Sequence, residues 1–337
     1  MSPYEFDYAC NIEIIVIMRR AIFYNCLASV LLFGFVCSCT DSPKNKRKDT
    51  YSSGNITFAS DESFSPIIDE EIYVFESIYR EAKLTPIYTN ELDAVNLLMT
   101  DSIHLAITSR RFTEQELENL QARKFRPVSI PLAYDGLAFI INKENTDSCI
   151  TVSNIKKILS GQVNDWSQIV PGSKRGEIQV VFDNKQSSTV HYCVDSILGG
   201  TPINSPNIFA ARTSKEVVDY VEQTPNAIGV IGSNWLNDKR DTTNTTFNRA
   251  ITVMSVSKME VATEMNSWKP YQAWLLDGRY PFVRTIYALL NDPINGLPWG
   301  FAHFIEQPKG QLIIFRAGLL PVRGDIVVRP VNVNDSY

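Results

Sequence analysis

The chain predicts an α/β protein of two lobes. Three observations carry that prediction: strands and helices alternate from Asn55 to Ile107, a second alternating run starts near Ile130, and a helical pattern returns in the last third. Ile56-Thr57-Phe58-Ala59 is a short strand. Ser65-Pro66 then opens a helix with Ser65 as N-cap and Pro66 at the first helical position, burying Ile67, Ile68, Ile72, Phe75, Ile78 and Tyr79 on one face. Pro86-Ile87-Tyr88 is a second strand. A helix follows from about Glu91, its apolar side formed by Leu92, Val95, Leu98 and Met99, and Ile103 to Ile107 is a third strand ending in Thr108-Ser109-Arg110-Arg111. Such a β-α-β-α-β rhythm implies a parallel sheet that binds ligands at the loops after its strands.

The second unit begins at Ile130-Pro131-Leu132-Ala133-Tyr134-Asp135-Gly136, where turn residues suggest a crossover between lobes before the strand Leu137 to Asn142. A helix over Ser153 to Leu159 stops at Gly161, and Asn164-Asp165-Trp166 follows. Ile178 to Phe182 and Ala227 to Gly232 are near-continuous apolar strands with a helix from about Ser214 to Gln223 between them. The chain is expected to return to the first lobe near Ile251, since the tail holds helices at Trp299 to Glu306 and Lys309 to Arg316 and the short strand Leu320-Pro321-Val322. Two crossings make a hinge. Trp299, Phe301 and Phe304 recur at helical spacing and are expected in the core.

At the N-terminus, Arg19-Arg20 precede an apolar run from Ala21 to Val36 and the sequence Val36-Cys37-Ser38-Cys39-Thr40. The run is shorter than the ~20 residues of a membrane span and is interrupted by Asn25 and Ser29, so it reads as a secretory leader. Its ending resembles a bacterial lipobox, with Cys39 as the acylated first residue of the mature chain. Residues 1–38 are therefore set apart as leader, and Met18 is as plausible a start as Met1. Residues 39–54 are polar, charged and aperiodic, a flexible tether to the membrane. The body divides into residues 55–133 (first lobe), 134–250 (second lobe) and 251–330 (return and tail).

The net charge is −5, and the leader holds two basic and three acidic side chains, leaving −4 afterwards. No basic stripe is present, which disfavours nucleic acid as a partner. Cys149 and Cys193 remain after the leader and Cys39 are set aside; a disulfide and two free thiols are both open. His104, His191 and His303 lie far apart, and no His or Cys spacing implies a metal or other cofactor. Neither a Gly-x-Ser-x-Gly elbow nor a zinc helix supports an enzyme.

The most informative local pattern is Val180-Val181-Phe182-Asp183-Asn184-Lys185-Gln186-Ser187-Ser188-Thr189, a buried strand running through a polar turn into a helix whose inner face is Val190, Cys193, Val194, Ile197 and Leu198. An ordinary N-cap explains the hydroxyls. The same arrangement is an anion site in outline, since free N–H groups and neutral hydroxyl donors face whatever sits at the turn.

Asp135 to Asn142, Ile158 to Trp166, Ser187-Ser188-Thr189, Ala227-Ile228-Gly229 and Gly318 to Val322 occur in that order. Together they resemble the periplasmic phosphate-binding proteins that feed Pst-type ABC importers, over roughly Asn55 to Val322. The resemblance implies a type II periplasmic-binding fold, two α/β lobes with mixed sheets joined by a two-crossover hinge, closing over an oxyanion without chemical conversion. It also implies an ABC permease as partner, a monomer, no cofactor, and a place on the periplasmic side of the cell envelope. Ser63 and Phe64 match the family's Thr-Phe pair at the first helix start, and Ser187, Ser188 and Thr189 match its Ser-Gly-Thr. Thr89 matches a serine contact loosely.

The charged positions differ. Where the family has Arg and then Asp two residues on, this chain has Asp183 and Lys185; where it has Ser-Asp after the third strand, this chain has Ser109 and Arg110. Arg110 and Lys185 are therefore candidate cations, and Asp61, Asp183 and Glu91 candidate acceptors for a ligand proton, which hydrogen phosphate offers and sulfate does not. The exchanged signs also leave room for a sensory or scaffold lipoprotein of the same fold with a changed or lost ligand.

Overall fold

The computed structural model describes residues 47–203, 205–237 and 248–323; the leader and Cys39 lie outside them. The compact unit that carries the fold runs from Asp49 to Tyr337. In the first lobe β1 (Gly54–Asp61) pairs in parallel with β2 (Ala82–Thr89) along its whole length, and with β3 (Leu105–Thr108) through Ala59 and Ser60. Helices α1 (Ser65–Ile78) and α2 (Glu91–Met99) make the two crossovers. The expected Ser65 cap is corrected: Ser65 is already helical, and a 3-10 turn over Glu62–Phe64 precedes it, capped by Asp61. α3 (Glu114–Ala122) was not anticipated, although Thr113 and Glu116 form a capping box at its start.

The expected break at Asp135-Gly136 is absent, because β4 (Val128–Asn142) is one continuous strand of 15 residues. Its first half pairs antiparallel with β11 (Val283–Leu290), and its second half pairs antiparallel with β8 (Ala227–Gly232) and β9 (Ile251–Val253). A turn-forming Asp-Gly sits inside a strand here because the Asp135 carboxylate is paired, as shown below.

The second lobe adds β5 (Cys149–Thr151), α4 (Val152–Leu159) and β6 (Gln179–Phe182). Next come α5 (Ser188–Tyr192), which continues as a π-turn over Cys193–Ile197, then β7 (Ile208–Ala210) and α6 (Ser214–Gln223). β6 lies parallel between β7 and β8. A Cβ at Gly229 would stand 2.8 Å from side-chain atoms of Ile140, Val217 and Val221, so this glycine lets α6 lie close on the sheet.

Strand pairing does not change at Ile251. β9 joins β4, and β10 (Ser255–Ser257) joins β5; Leu275 of α7 (Gln272–Leu276), Tyr280 and Phe282 pack in the second lobe's core. The chain rejoins the first sheet at β11, which pairs with both β3 and β4. α8 (Leu297–Glu306), α9 (Pro308–Arg316) and β12 (Leu320–Pro321) complete the described body. Phe301 stacks within 5.4 Å of Phe58 and Phe75, and Phe304 within 5.2 Å of Phe75, so these aromatics pack the core. Cys149 and Cys193 are free thiols, and burial pushes Cys193 above the usual thiol range.

Candidate functional site

Asp61 ends β1 at the face where the lobes meet. One of its carboxylate oxygens accepts from the Ser63 N–H at 2.9 Å, capping the 3-10 turn. The other accepts at 3.0 Å from the N–H of Ser188, the first residue of α5 in the other lobe. Ser63 and Ser188 thereby face each other with their hydroxyl oxygens 3.1 Å apart. Both are fully buried.

The buried guanidinium at this junction lies on neither of the loops expected to supply a cation. Arg284, on β11, donates through Nη1 to Ser188 Oγ at 2.7 Å and through Nη2 to Ser63 Oγ at 3.2 Å. Its Nε meets Asp135 Oδ2 at 2.9 Å, and its Nη2 lies 2.8 Å from the same oxygen. Asp135 is held in turn by the N–H and hydroxyl of Ser233 at 2.9 and 2.7 Å. The guanidinium also lies 4.6 Å from the centre of the Phe64 ring. Gly232 makes room for it: a Cβ there would be 2.7 Å from Arg284 Nη2 and 2.8 Å from Asp135 Oδ2.

At the expected turn, Ser187 caps α5, and Asp183 Oδ1 accepts from Ser187 Oγ at 2.6 Å, from the Asn184 N–H at 3.0 Å, and from Thr189 Oγ1 in a short bond. The Thr189 hydroxyl thus serves a buried carboxylate. Ser109 donates its N–H and hydroxyl to Glu91 Oε1 at 2.7 and 2.9 Å, while Glu91 Oε2 takes His191 Nδ1 of the opposite lobe at 2.8 Å. Arg110 is bidentate to Glu116 at 2.8 Å for each bond. Lys185 is exposed. Thr89 is half-buried opposite Asp61 in the β1–β2 register, and the cap of α2 is Asn90. The structure therefore brings together Ser63, Phe64, Ser187, Ser188, Thr189 and Asp183, places Ser109 beside them through Glu91, and sets Arg110 on Glu116 and Lys185 at the surface.

Two further groups join the lobes. Glu62 Oε2 accepts from the N–H and hydroxyl of Ser214, both at 2.9 Å, and the Ser63 carbonyl accepts from Asn234 Nδ2 at 2.9 Å and Trp235 Nε1 at 3.0 Å. Asn234 is 7% exposed, and its Oδ1 has no hydrogen-bond partner among the described residues.

The electrostatics follow from burying several carboxylates around one guanidinium. Burial first, then Asp183 and Glu91, push Asp61 up to about 6, against the pull of Ser63 and Arg284. Burial raises Asp183 as well, opposed by Ser187 and Thr189. Burial raises Glu62 to about 7 despite its bonds from Ser214. Glu91 differs: burial acts upward, but the bonds from His191 and Ser109 prevail and hold it below its usual range, and the same pair raises His191. Burial weakens the Arg284 proton, yet Asp135 and Asp61 outweigh it.

Arg284, Asp135 and Asp61 were not read as one set from the sequence. The signal for Arg284 is period two: in Val283–Leu290 it falls on the same face as the buried Ile286, Ala288 and Leu290, where an arginine needs a partner.

The family model of the PBP superfamily domain matches residues 45–307. The phosphate-binding protein PstS of Borreliella burgdorferi is 24% identical over 303 residues, covering 87% of this chain and 98% of that protein. Among solved structures, a Clostridium perfringens protein described as a phosphate ABC transporter substrate-binding protein with bound phosphate superposes with a TM-score of 0.66 at 19% identity, covering 80% of this chain and 100% of its own. An ABC-type phosphate transport receptor from Vibrio cholerae superposes with a TM-score of 0.60 at 19% identity over the same shares. The strand order, the two lobes joined through the continuous strand β4, and a family match over most of the chain place this protein in the PBP superfamily.

Proposed function

We propose that the chain is the substrate-binding lipoprotein of an ABC importer, and that it holds inorganic phosphate or a related tetrahedral oxyanion between its lobes without converting it. The observation that carries this reading is the convergence of the Ser63 and Ser188 hydroxyls on Arg284 at the lobe junction. Neutral hydroxyls, backbone N–H groups and one buried guanidinium are the donors an oxyanion needs, and charge-assisted bonds of this kind are the strong ones. The Asn234 Oδ1 acceptor beside this set suits an anion that still carries a proton. Relatives bearing the PstS name are phosphate-binding proteins, and the same ligand fits this donor set.

In this reading residues 55–133 and 283–321 form one closing lobe and 137–282 the other. Cys39 anchors a monomer on the periplasmic side of the envelope through a lipid, and the closed lobes present the anion to a permease. A ligand at 100 times its dissociation constant stabilises the fold by about 2.7 kcal/mol, a readily measured thermal shift. Thermal scans of the purified protein with millimolar phosphate, arsenate, sulfate, molybdate and tungstate test this. Failure of all five to shift the transition rules out the oxyanion reading. A sensory or scaffold lipoprotein is favoured by one observation, that the family's Arg position is occupied by the buried Asp183; failure to associate with any permease while still binding an anion would select it.

A further inference from the structure

Resting on the oxyanion reading, we propose that Asp61 is a resident competitor of the ligand: its carboxylate spans the two lobes by taking the Ser63 and Ser188 N–H groups, and an incoming anion must displace it from Ser188. Several contacts cross between the lobes, namely Glu62 to Ser214, Glu91 to His191, and the Ser63 carbonyl to Asn234 and Trp235. Asp61 alone among them occupies a backbone donor of the hydroxyl pair that Arg284 gathers. Its two oxygens face two amides from opposite lobes at 2.9 and 3.0 Å, the way two oxygens of a tetrahedral anion would. Asp61 is 1% exposed, so an anion that takes the Ser188 N–H takes a position its carboxylate now fills.

The charges around it sharpen the competition. Asp61 faces Asp183 from the turn after β6, Glu91 from α2, His191 from α5, Glu62 from its own turn and Arg284 from β11, while Arg284 is already paired with Asp135. Glu91 and His191 pair with each other. Two carboxylates, Asp61 and Asp183, are thus left to share one guanidinium whose charge is largely spoken for. Adding an anion while Asp61 stays ionised sets like charges together in a low dielectric. The anion therefore binds as Asp61 takes up a proton, and a protonated Asp61 can no longer accept from both amides. The sign is fixed: ionised Asp61 competes at high pH, and competition fades as pH falls through the range where it protonates. This makes Asp61 a determinant of when the site loads, separate from any acceptor that reads the ligand's own proton.

Asp61→Asn tests this because it keeps the shape but has only one acceptor oxygen, freeing one amide. Phosphate is titrated into both proteins by calorimetry from pH 5.5 to 8. The ratio of the two dissociation constants cancels the ligand's own ionisation. The expected result is that Asp61→Asn binds phosphate more tightly at pH 8, by about tenfold or more, with the ratio approaching one at pH 5.5. Calorimetry of the wild-type protein at pH 7.5 in buffers of different ionisation enthalpy should also show uptake of close to one proton more than the variant. Equal or weaker binding by Asp61→Asn at pH 8, or equal proton uptake, overturns the inference and leaves the oxyanion reading standing. Absence of binding by both proteins at every pH overturns the oxyanion reading and the inference with it. Binding by the variant alone supports the inference in its strongest form.

Discussion

The turn Asp183–Thr189 and the strand Val283–Leu290 meet at one site but contribute to it in opposite ways. The turn supplies hydroxyls and amides through local geometry: Ser187 caps the helix, Ser188 offers its N–H and Oγ, and Thr189, two residues after Ser187, bonds the same Asp183 oxygen that Ser187 does. The strand supplies one cation, Arg284, whose position depends on partners far away in sequence, Asp135, Ser63 and Ser188. A turn of this kind announces itself as a motif. A buried arginine becomes meaningful only when the fold brings its partners to it, and here the strand, not the turn, carries the buried guanidinium.

The comparison breaks most directly at Arg284. Arg284→Met removes the charge that offsets the fully buried Asp135 and is expected to cost about 3–5 kcal/mol of stability, measured by denaturant unfolding, and to abolish phosphate binding. Lowering the charge debt with Asp135→Asn in the same chain should recover part of the stability and none of the binding. If Arg284→Met still binds phosphate at wild-type affinity, the cation lies elsewhere.

A smaller effect is expected at Gly232, where a Cβ meets the guanidinium and the Asp135 carboxylate. Gly232→Ala should cost about 1–3 kcal/mol by overpacking and weaken phosphate binding with it. Unchanged unfolding would mean that Arg284 has room to shift, contrary to the packing described.

On the turn side, Thr189→Val leaves the Asp183 carboxylate with Ser187 and Asn184 but without its Thr189 donor. About 1–3 kcal/mol of stability and a measurable loss of phosphate affinity are expected together, since the residue supports Asp183 rather than capping the helix. Binding lost with stability intact would instead make the Thr189 hydroxyl a direct ligand donor. The smallest effect belongs to Lys185→Ala, whose side chain is exposed: stability within about 0.5 kcal/mol of wild type and unaltered affinity.

Much of the architecture is legible because it repeats locally. The β-α-β-α-β run of the first lobe, the strands Gln179–Phe182 and Ala227–Gly232, and the aromatic packing of Phe301 and Phe304 follow from apolar period alone. Ser187 to Thr189 are legible as a helix start, and Ser63 and Phe64 through the family resemblance. What escaped depended on long-range pairing. Asp135-Gly136 reads as a turn until Arg284 is seen to hold the aspartate inside β4. Arg110 reads as a free cation until Glu116 claims it, although the Thr113-x-x-Glu116 spacing spells the capping box that puts Glu116 there. Asp61 reads as a candidate acceptor for a ligand proton, and only the fold shows its carboxylate joining the first turns of both lobes. The return to the first lobe reads as starting near Ile251 because short strands at lobe edges carry too little pattern to say which sheet they join.

The most direct test of the site is a phosphate titration by calorimetry of the wild-type protein beside Arg284→Gln and Lys185→Gln, each first checked for native unfolding behaviour. The predicted result is saturable binding by the wild type and by Lys185→Gln, and no binding by Arg284→Gln. Saturable binding that survives Arg284→Gln but is lost in Lys185→Gln would contradict the account, returning the cation to the turn.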